Sequence, residues 1–230
     1  VNTLFNDDFT GPTGQLADPT KWGYEVGANI RNNELQYYTD ADPDNASLDG
    51  AGNLRITVRK ESFGGAAYTS ALLWTQNKFT FTTGCLEARI KTPVGSGLWP
   101  AFWTLGVGTW PTHGEVDVME EVNSDQLTTS NLHGGPTHWS NYKGYAATRS
   151  AWHIYKACLS TTQVTWYLDG ALKHTYLKTQ MPAGQTWPFG TTPQYILLNV
   201  AMGGSFPGTP NGTATLPATM LVDYVRVTTT

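Results

Sequence analysis

Val164 to Tyr176 reads VTWYLDGALKHTY. A β-rich run, an Asp169-Gly170 pair and a second run predict two antiparallel strands joined by a two-residue turn. Asp-Gly suits such a turn because both residues tolerate the positive φ angles it needs. Outward from this hairpin the same grammar repeats. β-Branched and aromatic runs are found at Leu54–Lys60, Ser70–Trp74, Lys78–Phe81, Gly84–Lys91, Ala101–Leu105, Glu115–Val122, Thr129–His133, His153–Leu159, Gln163–Leu168, Tyr195–Met202 and Thr219–Val227. Turn-forming stretches such as Asp49–Asn53 and Pro93–Gly97 punctuate them. No strong helical period appears. Closely spaced strands of this kind predict an all-β fold, a sandwich of two stacked antiparallel sheets. No linker or internal repeat divides the chain, so residues 1–230 are expected to form one domain.

Charge and composition narrow the function. The net charge is −4 with no basic stripe, which excludes nucleic acid as an expected partner. No apolar run is long enough to cross a bilayer, so no membrane insertion is expected. Charged residues make up only 14% of the chain, leaving a surface of uncharged polar groups that suits a neutral, hydroxyl-rich ligand. The 9 Trp, 11 Tyr and 8 Phe are mostly expected in packing, with a minority free to line a cleft. Sugar rings stack on such flat faces through their apolar C–H surfaces. A start at Val1 without a leader fits a processed or trimmed chain. Cys85 and Cys158 either pair or stay as buried thiols; without histidines nearby they make a poor zinc site.

The stretch HGEVDVMEEVN, His113 to Asn123, carries the chemistry. Four carboxylates (Glu115, Asp117, Glu120 and Glu121) stand in a segment that Val116, Val118, Met119 and Val122 mark as a strand. Crowding acids on one strand costs free energy through desolvation and like-charge repulsion, which a structural role rarely offsets. Period-two alternation puts Glu115, Asp117 and Met119 on one face and Glu120 on the other. One bulge between Asp117 and Glu120 would return Glu120 to the face of Glu115. A retaining glycosidase needs two carboxyls about 5–5.5 Å apart. Four strand steps at about 3.3 Å separate Cα atoms by about 13 Å, a gap two inward-leaning Glu side chains can close, whereas Glu121 on an unbulged strand lies about 20 Å away. Glu115 and Glu120 are therefore the candidate pair, with Asp117 between them to orient Glu115 and tune both. A solvated acidic strand or a calcium patch is the bland alternative, and the flanking aromatic residues count against it.

Glu115-Val-Asp117-Val-Met-Glu120 resembles the longer, bulged signature of glycoside hydrolase family 16. NNELQYYT (Asn32–Thr39), YTSA (Tyr68–Ala71), EARIK (Glu87–Lys91), GLWPAFWTLG (Gly97–Gly106), LLNVAMGG (Leu197–Gly204) and VDYVRV (Val222–Val227) are similar to laminarinase-type members, in family order and from end to end of the chain. The resemblance implies a jelly-roll, concanavalin-like β-sandwich of two curved antiparallel sheets with an open cleft across the concave one. It implies Glu115 as nucleophile, Asp117 as its assistant and Glu120 as acid/base in a retaining reaction that needs no cofactor. The implied substrate is a laminarin-like β-1,3-glucan, cut internally by a secreted monomer. A mixed-linkage β-1,3-1,4-glucanase, a transglycosylase and a non-catalytic glucan-binding protein are the alternatives.

By the same resemblance Trp103 and Trp110 flank the sugar beside the nucleophile, His133 stands near the acid/base, and Trp99 and Asn33 are further candidates for substrate binding. A structural Ca²⁺ is implied on the opposite face, held by main-chain oxygens of Asp8 and Gly50 and the carboxylate of Asp223, the kind of oxygen-rich set calcium takes. One departure stands out. Family members usually carry an Arg after TSA, facing the substrate, where this chain has Leu72.

Overall fold

A computed structural model describes residues 1–230. The Asp169-Gly170 turn is as expected: both residues have positive φ, 50° and 78°, and Leu168 pairs with Ala171 across it. Two eight-stranded antiparallel sheets dominate, and a three-residue 3₁₀ turn at Lys178–Gln180 is the only helical element. One sheet runs in the order Ala171–Leu177, Gln163–Leu168, Trp152–Leu159, Gly84–Lys91, Ala218–Thr228, Leu54–Val58 and Ala46–Leu48, with Thr3–Asp7 paired to the end of Ala218–Thr228. The other runs Trp139–Ser140, Leu127–Gly134, Glu115–Glu120, Leu98–Gly106, Gln194–Met202, Leu72–Trp74 and Gly23–Tyr24, with Lys143–Ala146 against Leu127–Gly134. A three-stranded sheet, Gly27–Ala28, Gln36–Tyr38 and Tyr68–Ser70, completes the fold.

Alternation explains which sheet carries the site. Along Gly84–Lys91 buried and half-buried residues alternate, with Leu86, Ala88 and Ile90 in the main core of 41 residues. Truncating a buried Leu or Ile of this kind to Ala typically costs about 2–5 kcal/mol. Leu98–Gly106 and Gln194–Met202 are instead buried on both faces almost throughout. Phe102, Leu198 and Val200 enter the main core, whereas Ala101, Trp103 and Leu197 join Tyr38, Leu72 and Tyr195 in a second cluster on the opposite face. Ala101 and Trp103 of this second face line a large cavity.

Two expectations change in three dimensions, and one open choice is decided. The run Ser70–Trp74 is two strands: Ser70 pairs with Tyr38 in the small sheet, Leu72 pairs with Asn199 in the large one, and the chain changes sheets at Ala71. The run Lys78–Phe81 is not a strand. The Lys78 and Phe79 amides both donate to Thr75 O at 3.0 and 2.9 Å, forming a turn, and only Phe81 makes a bridge, to Gln194. Its aromatic rings are recruited into packing, Phe79 against Phe5 and Phe81, instead of extending a ladder. Of the two states open to the cysteines, Cys85 and Cys158 are disulfide-bonded, across a directly paired position of Gly84–Lys91 and Trp152–Leu159.

Candidate active site

The expected bulge is present. Against Leu98–Gly106, Trp103 stands opposite Asp117 and Phe102 opposite Met119, so Val118 is the extra residue. Against Leu127–Gly134, Asp117 stands opposite Asn131 and Glu120 opposite Thr129. Val118 and Met119 both turn into the core, at 1% and 0% exposure. Their double insertion returns Glu120 to the side of Glu115 and Asp117, and all three line one cleft of about 600 Å³. At the bulge the Asp117 carbonyl accepts a hydrogen bond from Trp166 Nε1 of the facing sheet at 2.9 Å.

Each outer carboxylate has one indole donor. Trp110 Nε1 donates to Glu115 Oε2 at 2.6 Å, and Trp99 Nε1 donates to Glu120 Oε1 at 3.0 Å. Desolvation first, then the Asp117 charge, pushes the Glu115 carboxyl up to about 8, while His133 and the Trp110 N–H pull it down. Desolvation and then the Glu115 charge push Glu120 up to about 8, with only Trp99 opposing. Asp117 is raised well above the usual carboxylate range by burial, then by the Glu120 charge. The three groups titrate as one cluster that holds protons at neutral pH. Glu115 and Glu120 are raised alike, each with one indole N–H opposing the shift.

A short relay of neutral rings flanks the cluster. Asn131 Oδ1 accepts from the Leu132 amide at 2.9 Å, so its Nδ2 faces His133 Nε2, 3.0 Å away. His133 Nε2 is then an acceptor, and its Nδ1–H donates to His138 Nε2 at 2.9 Å. Burial lowers the pKa of both histidines. His133 Nε2 stands 3.3 Å from Asp117 Oδ2 without donating to it, and that buried oxygen has no hydrogen-bond partner. A neutral Asp117 fits this environment better than an ionised one.

Trp99, Trp103, Trp110 and His133 all line the cleft, as expected from the sequence. Trp110 is 50% exposed and lies 4.9 Å, ring to ring, from His138. Asn33 is a correction: it does not line the cleft, and its side chain reaches out to Ser205 Oγ at 3.3 Å. Asn32 and Asn33 both adopt left-handed φ, 57° and 56°, and this turn gives the cleft Asn32 and Glu34 instead. Glu34, Arg31, Asn131, His138, Tyr142 and Asn199 also line it, unforeseen from sequence. Alternation in NNELQYYT was an available signal for Glu34, because Glu34, Gln36 and Tyr38 share one buried face. Gln36 Nε2 and Tyr38 OH both donate to Glu34 Oε2, at 2.7 and 3.2 Å. Asn199 links Tyr38 OH to Trp103 Nε1, at 3.0 and 2.7 Å.

The one carboxylate named for calcium, that of Asp223, does not fit an ion as arranged. Asp223 Oδ2 accepts from Arg89 Nη1 at 2.9 Å. The Asp8 side chain, which the expected site does not use, accepts from Asn6 at 2.7 Å and from Arg226 at 2.9 Å. A guanidinium already stands where the charge of the ion would act. Gly50 packs against Thr13 at φ 81°. Glu115, Asp117 and His133 bring ligand atoms within 4.8 Å of one another, but Trp110 and Asn131 already donate to two of these groups.

A sandwich with paired, indole-held carboxyls on one strand of a tryptophan-lined cleft is the architecture of a carbohydrate-cleaving enzyme, a glycoside hydrolase. Residues 33–226 match the model of glycosyl hydrolases family 16, and the chain belongs to that family. It is 34% identical to a beta-glucanase of Rhodothermus marinus, over 96% of this chain and 82% of that protein. It is 33% identical to a keratan-sulfate endo-1,4-beta-galactosidase of Sphingobacterium multivorum, over 97% of this chain and 54% of that one. Among solved structures, the laminarinase catalytic domain of Thermotoga maritima superposes with a TM-score of 0.91 at 33% identity, covering 100% of this chain and 98% of that domain. This likeness bears out the jelly-roll architecture.

Proposed function

We propose that this protein is a retaining endo-β-1,3-glucanase acting on laminarin-like polymers. The observation that carries the chemistry is the bulge, which sets Glu115, Asp117 and Glu120 on one face of a cleft walled by Trp99, Trp103 and Trp110. Glu115 attacks the anomeric carbon; the bond from that carbon to the glycosidic oxygen breaks, and Glu120 gives its proton to the departing oxygen. Water then displaces Glu115 from the glycosyl-enzyme, losing a proton to Glu120. Asp117, neutral between them, limits the negative charge Glu115 must bear alongside it. The glucan assignment is supported by the relatives named beta-glucanase and laminarinase.

A secreted monomer is part of the same proposal. The Cys85–Cys158 disulfide supports export, because such bonds persist in oxidising compartments. The deciding experiment incubates the protein with linear β-1,3-glucan, mixed-linkage glucan and agarose and sizes the products. An early ladder of short β-1,3 oligomers is expected. Cleavage of agarose alone would overturn the substrate, and no cleavage at all would favour a binding protein.

A further inference from the structure

Arg31 is the only arginine or lysine lining the cleft. Its backbone follows the Gly27–Ala28 strand and precedes two residues in left-handed conformation, Asn32 and Asn33, with Asn29 also at φ 49°. Non-glycine residues seldom adopt positive φ, and Asn tolerates it best. Three in five positions make a tight loop that brings the Arg31 side chain over the sheet, its guanidinium carbon 5.4 Å from the Trp103 ring centroid. Nη1 and Nη2 donate end-on to the two oxygens of Glu25, at 2.7 and 2.8 Å. Both side chains are partly buried, 28% and 15% exposed, and a two-point clamp of this kind fixes the plane of the guanidinium.

We propose that Arg31, held by Glu25, is a substrate-positioning and specificity-determining residue that hydrogen-bonds the hydroxyls of a neutral sugar ring on the Trp103 side of the cleft. A guanidinium carries five N–H groups. Glu25 takes two, and the remaining three have no side-chain or backbone acceptor in the protein. Leu72, where a cleft guanidinium was to be expected, is fully buried under the same cluster as Trp103. The guanidinium is thus supplied from a loop instead of from the sheet. Charge argues for a neutral partner: Glu25 cancels the charge of Arg31, and Glu34, Glu115, Asp117 and Glu120 line the rest of the cleft. A sulfated or uronate sugar would meet mostly carboxyls there. Arg31 lies over Trp103, which stands opposite Asp117, and its contribution is to hold the sugar ring against that face of the cleft.

This inference rests on the glycanase reading of the cleft, and the test separates the two. Steady-state kinetics of the wild type, Arg31→Ala, Arg31→Lys and Glu25→Gln are measured on the neutral polymer the wild type cleaves, and on a short aryl β-glycoside. Arg31→Ala is expected to raise KM for polymer at least about tenfold, equivalent to about 1.4 kcal/mol. Its melting temperature should stay near wild type, its polymer KM should rise by a larger factor than its kcat falls, and the aryl glycoside, which fills fewer subsites, should lose less than the polymer. Arg31→Lys should not restore KM, because an ammonium cannot hold both Glu25 oxygens and still present a planar donor set. Glu25→Gln should leave the guanidinium uncompensated, so binding of a sulfated polymer strengthens relative to the neutral one in affinity electrophoresis. An unchanged polymer KM in Arg31→Ala overturns the inference and leaves the glycanase assignment standing. A wild type that cleaves only sulfated or uronate polymers overturns the inference and leaves a glycanase, and one that cleaves none of these polymers overturns both.

Discussion

Arg149→Met tests how the catalytic strand is anchored. Glu121 directly follows Glu120 but turns to the opposite side, where it is 1% exposed and lies 2.6 Å from Arg149 Nε. Tyr155 OH and Thr92 Oγ1 also donate to it, at 2.9 and 2.6 Å. Arg149 in turn donates to the carbonyls of Val122 and Asp125 at 3.2 Å each and of Pro93 at 2.7 Å. Methionine fills the volume but strands a buried carboxylate and three carbonyls. Breaking a buried pair from one side costs about 3–5 kcal/mol. In a domain of this size each kcal/mol moves the melting temperature by about 2–4 °C, so a fall of about 6–20 °C is expected by calorimetry. Glu121→Gln combined with Arg149→Met removes the stranded charge and should recover part of that loss, a coupling read from the double-mutant cycle. The single variant should also lose kcat, because the end of the strand that aims Glu120 is loosened. A melting temperature within about 2 °C of wild type would refute the argument that a desolvated pair pins this strand. A double variant no more stable than the single would refute the stranded-charge explanation.

Glu115→Gln should lose about 10⁴-fold in kcat while keeping the fold, and activity near wild type would exclude Glu115 as nucleophile. The same variant tests linkage. Glu115 titrates near 4.3 when unfolded and is pushed up to about 8 when folded, so its stabilising contribution is full below about pH 4.3 and lost as pH rises through about 8. The stability of Glu115→Gln relative to wild type should therefore grow between pH 5 and 8 in urea titrations. Because Glu120 must be protonated to donate, kcat/KM should fall as pH rises through about 8; azide should rescue Glu120→Ala on an activated glycoside, with a glycosyl azide as product. Calcium and chelator should leave the melting temperature unchanged. An ion bound at 100 times its Kd would add about 2.7 kcal/mol, several degrees here, and a shift of that size would show that calcium displaces Arg89 from Asp223.

Local pattern carried far in this chain. The VTWYLDGALKHTY hairpin, the eight residues Gly84–Lys91 and the placement of Glu115, Asp117 and Glu120 follow from period-two alternation, turn chemistry and one bulge, all readable over a few neighbouring residues. Only tertiary structure decided the rest, because it depends on partners far apart in the chain. Arg149 reaches back to Glu121, and Trp166 crosses between sheets to the Asp117 carbonyl. Cys85 meets Cys158 because their two strands happen to pair at that register. Two consecutive left-handed asparagines decided that Asn32 faces the cleft and Asn33 does not, a choice composition cannot reveal. Leu72 and Arg31 show the limit most sharply. The loss of a cleft guanidinium at position 72 was legible, but its supply from position 31 became visible only once a loop had folded back over Trp103.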